Sequence, residues 1–370
     1  MTGNPEAITQ CSRRSFLRRS AAAAAAAPLL PTPSLREARF YEAAGTEKAV
    51  RCTLCPRGCL VPDGKRGYCR VRENRGGRYL TLVYGRPCAI HNDPIEKKPF
   101  FHVYPGSRSL SIATVGCNMA CKFCQNWDIS QSSPDRVNPP FRSPADIVHA
   151  ARRHGAKTIA FTYSEPTIFY EYMFDTARAA KNAGIGSVVV SNGFIAEEPL
   201  KKLLPFLTAY KVDLKAFSED FYVDLCDGRL REVLETLKRL ADSGVWFEIV
   251  VLVIPTLNDA PDEIKRMAAW IVKELGPDVP LHFTRFHPQY KLRNVPRTPT
   301  QIIHRCRKIA QAEGCHFVYG GNMPGAGGES TVCPKCGAHV IGRYGHGVMQ
   351  NRVRGGKCEE CGTTIPGVWE

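Results

Sequence analysis

Residues 117–124 read CNMACKFC, and this stretch decides how the rest of the chain is read. Cys117, Cys121 and Cys124 stand at C-x3-C-x2-C, with Phe123 before the third thiol and Gly116 before the first. Three thiolates so close on one loop can each hold one iron of a [4Fe–4S] cube. No fourth ligand is supplied nearby, so one iron keeps an open position. Fully ligated electron-transfer clusters use four cysteines; an open iron can hold a small molecule, which turns an electron carrier into a catalyst. The competing readings are a zinc knuckle or three unrelated thiols. Zinc sites favour paired C-x2-C steps over this asymmetric triplet.

Around that loop the chain has the makings of one large domain with small appendages. It is 370 residues long and 44% hydrophobic, enough for a sizeable core. The formal net charge is +15, and four arginines (Arg13, Arg14, Arg18, Arg19) stand near the N-terminus. The remaining Lys and Arg are scattered, with no run and no aromatic-studded stripe, so no specific nucleic-acid partner is expected.

Sixteen cysteines are many for this length. Most fall in tight sets: 52/55/59/69, 117/121/124, 333/336 and 358/361. Such spacing reads as metal sites rather than as a disulfide framework. Cys11, Cys88, Cys226, Cys306 and Cys315 stand alone and read as ordinary thiols.

Residues 12–18, SRRSFLR, precede seven alanines, Ala21 to Ala27. Paired arginines before a weakly hydrophobic stretch resemble a twin-arginine export leader to the periplasm or cell envelope. That stretch is too short for a permanent transmembrane span. Oxygen-sensitive cluster chemistry argues instead for the cytoplasm, and localisation stays open between the two.

The domain plan expected is a leader and linker (1–48), a Cys-rich module (49–105), a core (106–322) and a zinc-ribbon-like tail (323–370). Within the core, β-branched apolar runs fall at 111–116, 158–164, 187–192, 210–215, 247–255 and 281–288, with a shorter one at 316–321. Their continuity fits parallel strands covered by helices. Helical patterns lie between them, at about 168–183, 198–206, 229–243, 261–275 and 299–313, with another starting at Ser143-Pro144. Gly184, Gly244 and Gly314 sit where helix C-caps belong. The βα alternation fits either an open doubly wound sheet or a partial barrel.

The tail carries Cys333-x2-Cys336 and Cys358-x2-Cys361, each pair followed by glycine. Four thiolates in that pattern make a closed structural zinc site, with a rubredoxin-like iron site as competitor. Cys52-x2-Cys55-x3-Cys59-x9-Cys69 is less standard and suits zinc or an auxiliary iron–sulfur cluster.

These residues resemble the radical S-adenosylmethionine (SAM) superfamily, and within it the AmmeMemoRadiSam-type proteins related to pyruvate formate-lyase activating enzymes. The resemblance rests on CTLCPRGC, EKKPFFHVYPGSRSLSIATVGCNMACKFCQNWDIS, FTYSEPT, VSNGF, KVDLKAF, VLVIPTLND, HFTRFHP, VYGGN and the closing PGVW. It implies an α/β fold, a partial (β/α)6 TIM-like barrel, in which SAM chelates the open iron. An electron delivered to the cluster then cleaves the sulfonium, and the resulting 5′-deoxyadenosyl radical abstracts hydrogen from a substrate.

Matching strand ends carries roles over. Glu165 takes the place of the acid that holds the SAM amino group, with Ser164 where relatives have glycine. Ser191 and Asn192 are placed for the SAM carboxylate or ribose. Asp213 and Lys215 point the same way and suit SAM, a cation or a structural ion pair. His287 suits adenine or substrate, or a backbone carbonyl. Asn258-Asp259 reads as a turn and helix cap. Glycyl-radical activases usually carry an Arg on the fifth strand; here Glu248 stands near that position, which lowers the expectation of activase activity. The family further implies Memo-like and AMMECR-like partners and an electron donor such as flavodoxin or ferredoxin. A glycyl-radical activase, and a non-catalytic iron–sulfur or zinc redox or binding protein, remain the alternatives.

Overall fold

The apolar runs of the core become parallel strands in the computed structural model, which describes residues 35–45 and 48–370. One sheet has eight strands: β1 (Ala89–Pro94), β2 (Arg108–Ala113), β3 (Thr158–Phe161), β4 (Gly186–Ser191), β5 (Ala209–Asp213), β6 (Trp246–Val253), β7 (Leu281–Arg285) and β8 (Val318–Gly321). Sheet order follows chain order from β1 to β8. Strands β2 to β8 run parallel, and β1 pairs antiparallel with β2. β1 and β8 are the two ends of that order and do not pair, so the barrel is partial.

The expected six-strand repeat therefore gains members at both ends. The short run at 316–321 becomes β8. β1 comes from AIHNDP, which lies in the segment read as Cys-rich module. Its polar residues and Pro94 suit an edge strand, and they hid it from a search for apolar runs.

Helices α1 (Pro144–Arg153), α2 (Tyr170–Asn182), α3 (Glu197–Leu203), α4 (Leu230–Ser243), α5 (Pro261–Leu275) and α6 (Thr300–Ala312) fill the connections. Their starts follow local chemistry. Ser143 and Asp146 form a reciprocal capping box at α1, with Pro144 in the first turn. Gly244 ends α4 at φ 74°, a conformation that costs a side-chain-bearing residue free energy. Buried Ile147, Val148 and Ala151 of α1, and Val233, Leu237 and Leu240 of α4, face the sheet. Each fully buried Val, Leu or Ile among them contributes about 1.5–3 kcal/mol.

Both flanking modules are sewn to the barrel. Arg36–Glu37 pairs with Arg78–Thr81, and Tyr41–Ala43 pairs with Val50–Cys52. Residues 36–43, read as linker, thus belong to the Cys-rich module. At the other end, Thr331–Val332, His339–Tyr344 and Gly347–Asn351 form a three-stranded sheet, followed by a hairpin of Val353–Arg354 with Lys357–Cys358.

The EKKPFFH and PGVW segments meet here. The Val368 N–H donates to the His102 carbonyl at 2.7 Å, and the Tyr104 N–H donates to the Val368 carbonyl at 2.8 Å. Phe101 packs with Tyr319, Ile341, Val353 and Ile365 in a small second core. The His102 ring is fully buried, with Nδ1 2.6 Å from the Pro366 carbonyl and Nε2 2.6 Å from the Tyr319 hydroxyl. A carbonyl only accepts, so Nδ1 carries the proton and Nε2 accepts from the tyrosine.

The twin-arginine-like stretch lies outside the described residues. Among the described residues no helix is long and apolar enough to cross a membrane.

Candidate active site

The C-terminal ends of the parallel strands open into a cavity of about 390 Å³. Cys117, Cys121, Cys124, Glu165, Ser191, Asn192, Asp213 and Lys215 all line it. The three-cysteine loop follows β2 directly and is clamped by its neighbours. The Ala120 and Lys122 N–H groups donate to the carbonyls of Cys226 and Leu225 at 2.9 and 2.8 Å. Asn118 Nδ2 donates to the Phe194 carbonyl at 2.7 Å. Gly116, at φ 98°, lies where a Cβ would sit 2.7 Å from Val71 Cγ1 and 2.8 Å from the Cys69 carbonyl oxygen, so no larger residue fits.

The thiols are not arranged as for a single ion. Among the described residues, the group with three or more ligand atoms mutually within 4.8 Å is Cys333, Cys336, Cys358 and Cys361. The loop cysteines do not form such a group, so they are not gathered around one ion. Burial pushes the Cys117 and Cys124 thiols above their ordinary range. Cys121 is held below it, chiefly because the Cys226 thiol donates to its sulfur. Cys226, read from sequence as an ordinary lone thiol, is thus part of the surroundings of the cluster loop. Tertiary packing of the turn before Asp227 brings it there, and nothing in its local sequence signals this.

Glu165 is 1% exposed and fully engaged on its protein side. Its Oε1 accepts from the Thr167 N–H at 2.9 Å and the Ser191 hydroxyl at 2.7 Å. Oε2 accepts from the Asn192 N–H at 2.9 Å. Burial raises its pKa even so, because three neutral donors do not replace water around an ionised carboxylate. An ammonium in the cavity would supply the missing charge-assisted partner. Asn192 Nδ2 meanwhile donates to Asn118 Oδ1 at 2.9 Å and lies 3.9 Å from Cys117 Sγ, tying β4 to the cysteine loop.

Asp213 is bridged on both sides. Lys211 Nζ reaches Oδ1 at 2.8 Å and Lys215 Nζ reaches Oδ2 at 2.9 Å. Burial alone would raise the Asp213 pKa, but the two ammoniums outweigh it and hold the carboxyl well below its usual range. Lys211 was missed in the sequence, although the strand alternation that paired Asp213 with Lys215 extends to it.

His287 is solvent-exposed beyond β7 and does not line the cavity; His282, inside the strand, does. The run HFTRFHP leaves the sheet after Arg285, and its polar end turns outward. Glu248 also departs from expectation. It is fully buried below the cavity, where it accepts from the Phe101 and His102 N–H groups at 3.0 and 2.8 Å and bonds His282 Nε2 at 2.7 Å. The His282 bond keeps Glu248 below the usual carboxylate range against the opposing effect of burial. The β6 side chains that do line the cavity are Val250 and Leu252, in register with Asp213 and Thr284. Asn258 and Asp259 hold the expected turn, accepting from the Ile254 and Thr256 N–H groups at 2.6 and 2.7 Å, but neither caps α5, whose N-cap is Ala260 without a side-chain bond.

Two further groups reach the cavity unannounced by the sequence. Lys98 and Tyr163 both bind Asp93, which also accepts from Ser111 at 2.8 Å. Burial pushes the Lys98 pKa down to about 8. Glu329 and His346 of the C-terminal module also line the cavity, so that module helps to wall it.

The C-terminal quartet has the geometry of one ion. Cys333 and Cys361 sulfurs lie 3.6 Å apart, and those of Cys336 and Cys358 lie 3.8 Å apart. A tetrahedron with metal–sulfur bonds of about 2.3 Å has edges of about 3.8 Å.

Residues 111–271 match the family model described as the radical SAM superfamily. An uncharacterized protein of Methanocaldococcus jannaschii is 43% identical over 90% of this chain and 99% of its own length. The pyruvate formate-lyase-activating enzyme of Clostridium pasteurianum is 22% identical over 44% of this chain and 69% of its own. A solved radical SAM methyltransferase from Sphaerobacter thermophilus is 16% identical, with 80% of each chain covered and a TM-score of 0.48. The matched residues span the cysteine loop, Glu165 and the lysine–aspartate bridge, and the chain belongs to the radical SAM superfamily.

Proposed function

We propose that this protein is a radical SAM enzyme that cleaves SAM reductively and abstracts hydrogen from a protein or small-molecule substrate. The observation that carries this reading is that the three cysteines of the loop and the buried carboxylate of Glu165 face one cavity. A [4Fe–4S] cluster on Cys117, Cys121 and Cys124, with SAM on its open iron, would supply a 5′-deoxyadenosyl radical. Glu165 would accept from the SAM ammonium, and Ser191 and Asn192 would keep that carboxylate oriented. The Lys211–Asp213–Lys215 bridge carries one net positive charge, which suits the SAM carboxylate. Buried strands beneath and the C-terminal module beside the cavity keep water from a reactive radical.

Anaerobic incubation of reconstituted protein with dithionite and SAM tests the proposal. It expects 5′-deoxyadenosine, and none from the Cys117→Ala/Cys121→Ala/Cys124→Ala variant. Equal product from that variant, or none from the wild type with its iron loaded, overturns it.

The finer reading is an AmmeMemoRadiSam-type enzyme working with Memo-like and AMMECR-like proteins, supplied with electrons by flavodoxin or ferredoxin. Sequence resemblance supports this reading, and co-purification of the three proteins tests it. The C-terminal quartet is proposed to hold zinc, on the strength of its tetrahedral spacing. Glycyl-radical activation is the second reading, favoured by relatives with that activity in their names. The apolar Val250 and Leu252 on β6, where a SAM-directed Arg would be expected, weigh against it.

A further inference from the structure

The Cys-rich module remains unexplained by this reading. Its four cysteines, close in sequence, are gathered by backbone contacts. The Cys52 N–H donates to the Cys59 carbonyl at 2.9 Å, and the Gly58 N–H donates to the Cys55 carbonyl at 3.2 Å. Gly67 closes the far side: a Cβ there would lie 3.9 Å from Cys59 Cβ and 2.5 Å from the Tyr79 hydroxyl. The turn from Gly67 to Arg70 then presents Cys69 to the same interior. All four are free thiols, and Cys52 and Cys69 are buried in the main core beside Leu54, Val71, Tyr79 and Val115. Four thiols so gathered, with no disulfide, call for a metal.

Their spacing sets them apart from the single-ion quartet. They do not form a set of three sulfurs mutually within 4.8 Å, as the C-terminal quartet does. In this they behave like Cys117, Cys121 and Cys124, the cube-binding loop. One tetrahedral ion needs four sulfurs on short edges, whereas a cube takes one cysteine per iron and holds them further apart.

A buried, paired cation stands beside the thiols. Arg72 is fully buried with Cys52 and Cys69 within reach of its charge, and its guanidinium is paired to Glu171 at 2.5 Å. The module also leans directly on the radical SAM loop. The Cys69 carbonyl packs against Gly116, and Arg57 Nε donates to the Asn118 carbonyl at 2.6 Å.

We propose that Cys52, Cys55, Cys59 and Cys69 ligate a second, fully coordinated [4Fe–4S] cluster, seated behind the loop that carries Cys117. Four protein ligands leave no open iron, so this site binds no substrate. It exchanges single electrons: a reductant such as dithionite gives up one electron, the cluster takes it, and no proton or ligand moves.

The full chain, reconstituted anaerobically with iron and sulfide, tests this by metal count. Wild type should hold about eight irons, the Cys117→Ala/Cys121→Ala/Cys124→Ala variant about four irons and about four sulfides. That variant should still give a reduced-cluster EPR signal with dithionite. Adding Cys55→Ala and Cys59→Ala should remove this iron and leave zinc unchanged. A fully loaded wild type with only about four irons overturns the proposal, whatever the variants do. So does zinc that is lost specifically with Cys55 and Cys59. The wild-type count does not depend on whether a variant folds, and the triple variant separates this site from the SAM-cleaving one.

Discussion

Replacing Glu165 by Gln keeps the shape of the side chain and removes its charge. In the wild type Oε1 takes two donors and Oε2 takes the Asn192 N–H. A carboxamide has one acceptor oxygen, so in either orientation a backbone N–H, of Thr167 or of Asn192, faces an NH2 group. Leaving such a buried donor unpaired costs ~1–3 kcal/mol of stability. The ligand loses more specifically: a hydrogen bond between charged groups is worth ~1.5–3 kcal/mol, which corresponds to roughly 10- to 150-fold weaker SAM binding. Calorimetric titration of SAM into anaerobically reconstituted wild type and Glu165→Gln measures this. 5′-Methylthioadenosine, which has no amino group, should bind both proteins alike. Ser191→Ala, which removes one neutral donor, should weaken SAM binding less. If Glu165→Gln retains its iron and binds SAM within about twofold of wild type, the carboxylate does not hold the ammonium and the reasoning fails.

Three other outcomes follow from the geometry. Cys336→Ser and Cys358→Ser should each lose about one zinc per chain and lower the melting temperature; unchanged zinc would mean that the ribbon is not its site. His102 is buried neutral, and burial lowers its pKa from 6.5 to about 4. The unfolded chain therefore binds the extra proton first as pH falls, so stability is present above pH 6.5 and is lost between about 6.5 and 4, by ~3 kcal/mol. Urea unfolding across that range, with NMR titration of the ring, checks it; a His102 that titrates near 6.5 contradicts it. Glu171→Gln strands the Arg72 charge, whose side chain is 0% exposed against 1% for its partner. Breaking such a pair should cost about 3–5 kcal/mol, read by denaturant unfolding, and a loss below about 1 kcal/mol would mean that Arg72 finds another anion.

Much of this protein was legible in one dimension because the signals were local. Period, β-branching and capping residues marked most of the strands and helices of the core. Cysteine spacing marked three candidate metal-ligating sets, and strand alternation put Asp213 and Lys215 on one face. Where the chain leaves the sheet was harder to read: His287 follows an apolar run but turns to solvent, while His282 within the run faces inward.

Only the tertiary structure decided the rest, because those relations join residues brought together by packing rather than by spacing. Glu248 anchors the EKKPFFH segment from 146 and 147 residues away. Cys226 reaches Cys121 through a turn with no motif of its own. The C-terminal module supplies a cavity wall through Glu329 and His346. The short sulfur–sulfur distances of the C-terminal quartet likewise exist only once the chain has folded. Spacing along a chain nominates candidate ligands, and only folding brings them within reach of one site.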